Sequence, residues 1–478
     1  MTGDKLDCNL LLDFWKIPSG AITVNNDDGR KTGQVNIIMP DHPSIGEPRL
    51  CTWGQTQFYT PVHLAGTGQI ADLAGSVSAC SAPQDSTVTL PFNLNEAIRS
   101  LLYEKYVAEE ARQQLLTHMR RLYYWSKPLL PRFIQVALRR QSVHHQSRRT
   151  FPAWPVDLSV DLIHYQVLKH ALMVSQSSSL PAISFWPDGA DFCLVLTHDI
   201  EQHAGYENIQ LMVDLEKKYG FRSSWNFVPK RYPVDTTLVN QLKSDGFEVG
   251  VHGLHHDGRL FESLETFKSR AHEINRYLQL WGCAGFRSPS NIRNFEWISQ
   301  YIRAEYDSSG LSTELYGIQP GGSCTVFPFL ISPRMVELPI TLQQDFTLLD
   351  VLNLPPEETL FNWVMTVESI ESVKGMVLIN THPDYMNTPE RLEIYEQFLS
   401  AMHQKRNAWH ALPRDVARWW LDRHNSELVS LNNSWRIQGP ASDKAKVMDC
   451  VCDQGDITIR PYHYESFSKD AVLKTVLI

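Results

Sequence analysis

Several familiar signals are missing from this 478-residue chain, and each absence excludes something. No stretch approaches the roughly eighteen consecutive apolar residues of a membrane-spanning helix. Excess positive charge is absent too. The formal net charge is -9, which provides no long-range attraction for nucleic acid or an anionic membrane. The eight cysteines, at 8, 51, 80, 193, 283, 324, 450 and 452, have neither zinc-finger spacing nor the density of a disulfide scaffold, so reduced structural thiols are expected. The first twenty residues place acids around a short apolar run and lack the basic flank and cleavage site of a secretory signal, which makes a cytoplasmic address the expectation. Internal repeats and low-complexity tracts are also lacking, which excludes solenoids.

What remains is a globular composition, 43% hydrophobic and 20% charged, long enough for about three domains. Residues 1–94 alternate short β-prone runs with turn residues and predict a β-rich region. From 95 to 180 the apolar spacing turns helical, with Asn93 or Asn95 available as an N-cap. Within it, 132–149 carries five Arg and two His without an acid. A solvated helix face is the preferred reading there, and peripheral contact with lipid headgroups the alternative. A new pattern occupies 181–424, and 425–478 forms a β-prone extension.

In that third region, seven β-branched or aromatic runs, at 192–196, 222–228, 248–251, 284–286, 304–306, 335–338 and 375–380, alternate mostly with helical stretches. Parallel strands joined by crossover helices give this pattern, and a TIM-like α/β barrel is the predicted architecture. Most of these strands run into polar residues: Thr197-His198-Asp199-Ile200-Glu201, then His252 to Asp257, Arg287-Ser288-Pro289, Asp307-Ser308-Ser309, Glu337 and Thr381-His382-Pro383-Asp384. Barrel enzymes carry their chemistry on that rim. His252 and His256, four apart, would share one face of a helical turn and could grip a divalent ion. Zinc catalysis generally adds a third protein ligand, for which Asp199 or Glu201 would serve. An isolated pair of this spacing is more often structural; the acids, the Arg and the late His around it favour function.

In this order the motifs resemble the polysaccharide deacetylases of the NodB-homology group, carbohydrate esterase family four, over about 185–420. The resemblance implies a distorted (β/α)7 deacetylase barrel. It implies Asp199 as catalytic base, Glu201, His252 and His256 as metal ligands, Arg287 orienting the base and His382 as acid. The cofactor implied is a divalent metal, Zn2+ first and Co2+, Ni2+ or Mn2+ as alternatives; the substrate implied is an N-acetylated sugar. The family's fourth motif is matched only in part by 306–317, which leaves Asp384, Glu337 and Asp345 as candidates to tune His382. Asp307, Gly321, Gly322 and Tyr316 are the expected substrate contacts, with Tyr306 and Trp225 as further rim aromatics, while His198 and His255 are expected to pack or support. Two other readings stand beside the deacetylase: an amidohydrolase of small amides on the same barrel, and a glycan-binding barrel without catalysis.

Overall fold

Residues 10–26, 35–39, 49–53, 56–60, 80–82, 86–90, 92–107, 151–175, 177–431, 434–453 and 456–461 are described by a computed structural model of the chain. The basic stretch at 132–149 lies outside them.

The seven apolar runs form seven parallel strands, β1 (Phe192–Ile200), β2 (Ser224–Phe227), β3 (Glu248–His252), β4 (Gly285–Arg287), β5 (Tyr306–Asp307), β6 (Met335–Glu337) and β7 (Met376–Thr381). Their spatial order is β6-β5-β4-β3-β2-β1-β7, with the short strand Phe329–Ser332 antiparallel on the outer edge of β6. Parallel neighbours need long crossovers. Helices such as Thr236–Ser244, Leu264–Trp281 and Pro356–Ser372 supply them, whereas β5 reaches β6 through a loop and that short strand. Residues of β1 and β7 are buried throughout, as expected of strands covered on both faces. Each fully buried Leu, Ile or Val in them contributes roughly 1.5–3 kcal/mol.

Closure is irregular, and the result is a distorted TIM-like barrel. No regular ladder joins β6 to β7; instead Thr341 and Leu342 both donate their N–H to Leu378 O at 3.1 Å, and Leu378 N–H returns to Thr341 Oγ1 at 2.8 Å. The chain after β6 therefore runs alongside β7 and arrives at its exit. Helix boundaries are set locally. Ser263 caps Leu264–Trp281 by accepting from Thr266 N, and Gly282, at φ 57°, ends it in the left-handed conformation that glycine tolerates.

The N-terminal region contributes a four-stranded mixed sheet (Ile22–Asn26, Val35–Met39, Thr87–Thr89, Cys80–Ala82), a hairpin (Arg49–Trp53, Thr56–Thr60) and helices Leu10–Trp15, Leu94–Leu102 and Ser159–Val174. It packs directly on the barrel. Asp161 accepts from Thr325 Oγ1 at 2.5 Å and Val326 N at 3.0 Å, and Glu104 pairs with Arg293 at 2.6 Å. Toward the other end of the chain, helix Pro413–His424 buries Trp419, Trp420 and Arg423, the last donating to the carbonyls of Phe14, Ile183 and Ser184. The extension then folds back: Val447–Asp453 pairs antiparallel with Ser179–Ile183 and with Asp456–Pro461, so chain on both sides of the barrel shares one sheet. No described helix is long and apolar enough to cross a membrane.

Candidate metal centre

Strand register assembles the site. Asp199 lies opposite Asn226 across β1 and β2, and His252 lies opposite Arg287 across β3 and β4. Because side chains alternate along a strand, Thr197 and Asp199 face the barrel interior while His198 faces outward. There His198 is fully buried, stacked on Trp225 at 4.2 Å and bonded to Glu216 (2.6 Å) and Thr381 (2.8 Å).

At the carboxyl ends of the strands, one potential ligand atom each from Glu201, His252 and His256 lie within 4.8 Å of one another. His256 Nε2 is 3.0 Å from Glu201 Oε1. Both histidine Nε2 atoms are buried; that of His252 has no hydrogen-bond partner and that of His256 has only the off-line Glu201 carboxylate, which is costly for polar atoms unless something further that is polar or charged belongs there. His252 Nδ1 lies 3.3 Å from Arg287 O; a proton on Nδ1 would satisfy that carbonyl and leave the Nε2 lone pair facing the cluster. Burial outweighs the nearby Asp199 and lowers His252 to about 4, so the ring is neutral, as a ligand must be. Two nitrogens and a carboxylate suit a divalent ion such as Zn2+, and this cluster can hold one.

The two histidines are not on a helical turn. His252 ends β3, and the chain then turns through Gly253 at φ 64° and returns His256 at φ 53°. A left-handed kink, rather than a helical period, brings the imidazoles to 5.1 Å between ring centres.

Beside the cluster, Asp199 is 2% exposed. Burial alone would raise it, yet Arg287 and the facing histidines hold it well below the usual carboxylate range. Oδ1 accepts from Asn226 Nδ2 at 2.9 Å and Arg287 at 3.2 Å; Oδ2 accepts from Asn380 Nδ2 at 2.9 Å and faces His252 Nε2 at 3.9 Å. Arg287 also donates to Thr197 Oγ1, Asn380 Oδ1, Ser308 O and Ser308 Oγ, each within 2.9 Å. Asn226 and Asn380 were missed in the sequence. Their signal is a polar residue at the inward phase of an otherwise apolar strand.

His382 follows β7, and of the three candidate partners it is Asp345 that holds it. Oδ1 meets His382 Nδ1 at 2.6 Å, and Oδ2 accepts the His382 backbone N–H at 2.8 Å. Burial disfavours the imidazolium, but Asp345, Glu201 and Asp199 outweigh it and raise His382 to about 10. Asp384 instead accepts the backbone N–H groups of Glu201, Gln202 and Gly205. Glu337 pairs with Asp307 behind the barrel wall, where burial pushes both carboxyls up.

The expected substrate contacts lie elsewhere. Asp307 is fully buried, its Oδ1 accepting from Ser309 at 2.5 Å, and the β5 alternation turns it away from the interior. Gly321 and Gly322 are buried beneath the N-terminal segment, where a Cβ on Gly321 would lie 3.0 Å from Glu104 and Tyr106 donates to Gly322 O. Tyr316 is half-buried, edge-on to Trp154. Trp225 and Tyr306, expected on the rim, are core residues, Tyr306 donating to Glu248 at the base of the barrel. For Gly321, Gly322 and Tyr316 the physical reason is shared: chain from 103–107 and 151–157 covers this flank. His255 sits half-buried beside the Asp257–Arg270 ion pair, outside the cluster.

No protein-family model matches the sequence, and no curated protein matches it. Solved structures similar to the chain include a Mycobacterium smegmatis protein assigned as a polysaccharide deacetylase, with 13% identity, 49% of this chain and 91% of that one covered, and a TM-score of 0.41. The Puue allantoinase gives 13%, 49%, 92% and 0.42, and a family 4 carbohydrate esterase from Streptomyces lividans, in complex with acetate, gives 12%, 46%, 93% and 0.30. None of these lends a residue role to this chain.

Proposed function

We propose that the protein is a metal-dependent hydrolase that removes N-acetyl groups from amino sugars of a glycan or glycan precursor. One observation carries the reading: two buried imidazole nitrogens, neither in a well-formed hydrogen bond, converge with a carboxylate, and Asp199 and His382 flank them. A divalent ion held by Glu201, His252 and His256 would act as a Lewis acid toward water and an amide carbonyl.

The chain's own residues then divide the proton traffic. Asp199 Oδ2, facing the cluster, accepts the proton of the attacking water. Arg287, on Oδ1, keeps that carboxylate charged and aimed. His382 delivers a proton to the departing amine, which leaves poorly without one, and Asp345 holds the ring through Nδ1, which leaves Nε2 for that transfer. The Asp345 contact on His382 supports this reading over a glycan-binding barrel without catalysis.

A second reading, hydrolysis of a small amide, is favoured by depth: Asp199, His252 and His382 are 2%, 2% and 4% exposed. Acetate release from N-acetylglucosamine oligomers, set against ammonia release from small cyclic and linear amides, separates the two. Purified protein should carry one divalent ion per chain, and His252→Ala should lose it. Asp199→Asn should keep the ion and lose turnover; full turnover in that variant would refute the assignment.

A further inference from the structure

Resting on the metal-site reading, we infer that Tyr385 is a positioning residue that makes Glu201 a one-oxygen ligand. Glutamate is a long arm for this place: with three side-chain torsions it can present either oxygen, or both, to an ion. Something has to choose, and the turn after β7 is built to do so.

That turn, His382-Pro383-Asp384-Tyr385, meets the exit of β1 at two levels. At the backbone, the Asp384 carboxylate takes the N–H groups of Glu201 at 2.8 Å, Gln202 at 3.0 Å and Gly205 at 3.2 Å, fixing where the Glu201 side chain starts. At the side chain, the Tyr385 hydroxyl donates to Glu201 Oε2. Oε1 is thereby left as the oxygen that faces His256 Nε2, at 3.0 Å. The tyrosine is itself held. Its ring packs on Phe346 at 4.9 Å and on His382 at 5.2 Å, it is 8% exposed, and its backbone N–H returns to His382 O at 2.9 Å. One short turn therefore carries the proposed acid, anchors the ligand's backbone and ties down the ligand's second oxygen.

Removing the hydroxyl while keeping the ring tests this without a substrate. Tyr385→Phe retains both ring contacts, so the fold is expected to survive. Zn2+ affinity, measured by chelator competition, should fall roughly 10–100-fold, the usual cost of losing a group that orients a metal ligand. The Co2+-substituted variant should show a weaker visible band than wild type, because a freed second oxygen can raise the coordination number. Glu201→Gln gives the floor for losing the charged ligand. Equal Zn2+ affinity together with an unchanged Co2+ spectrum in Tyr385→Phe would overturn this inference alone and leave the metal site standing. Failure of the wild-type protein to bind Zn2+ or Co2+ at all would overturn the metal reading and this inference with it.

Discussion

Replacing Arg287 by Met tests whether the site is an electrostatic unit. The guanidinium is 1% exposed, is bonded to four residues, and forms an ion pair with Asp199 at 3.2 Å. Methionine fills most of the volume but strands the Asp199 carboxylate, which is itself 2% exposed. Breaking a buried pair from one side costs about 3–5 kcal/mol, since the remaining charge is neither solvated nor matched. In urea, at a denaturant dependence of about 3 kcal/mol per molar, the midpoint of tryptophan fluorescence should drop by about 1–2 M in chelated, metal-free protein. Adding Asp199→Asn removes the stranded charge and should recover part of the loss, a coupling of about 2–3 kcal/mol in the double-mutant cycle. If Arg287→Met shifts stability by less than about 1 kcal/mol, or Asp199→Asn recovers nothing, the pairing does not organise the site.

Gly205→Ala places a Cβ 2.3 Å from Asp384 Oδ2 and must push that carboxylate off the three N–H groups it accepts. A loss of about 1–3 kcal/mol is expected in thermal unfolding, with weaker metal binding alongside. Glu104→Ala leaves Arg293, 7% exposed, without its acid; a loss of about 3–5 kcal/mol and faster proteolysis of the N-terminal region should follow. The Asp13 carboxyl is half-buried, which by itself would raise it, but its bonds to His424 and Lys16 hold it at about 2 against an ordinary 3.8. A depressed carboxyl stabilises the folded state above its unfolded value and loses that contribution as the pH falls through the folded one. The stability difference between wild type and Asp13→Asn should therefore be at most about 2 kcal/mol near neutrality and should shrink from pH 4 to pH 2. A difference that stays constant through that range would show that this pair does not titrate as the structure implies.

The seven strands were legible in the sequence because their cause is local. Buried parallel strands demand continuous β-branched or aromatic runs, and 192–196 or 375–380 have no polar alternative until their carboxyl ends. The same logic exposed Asp199, His252, Arg287 and His382, since a polar residue where an apolar run stops must face either solvent or a site. Tertiary structure alone decided what those residues meet. Asp345 reaches His382 because the chain after β6 runs beside β7 to close the barrel, a path set by hydrogen bonds to Leu378 and not by any periodicity. Gly321 and Gly322 became interior because Glu104 and Tyr106, more than two hundred residues earlier, pack over them. Two left-handed residues, Gly253 and His256, rather than a helix, bring the imidazoles together. Periodicity reports which face of an element is buried; which distant segment buries it, and how a loop turns between two strands, depends on contacts remote in the chain.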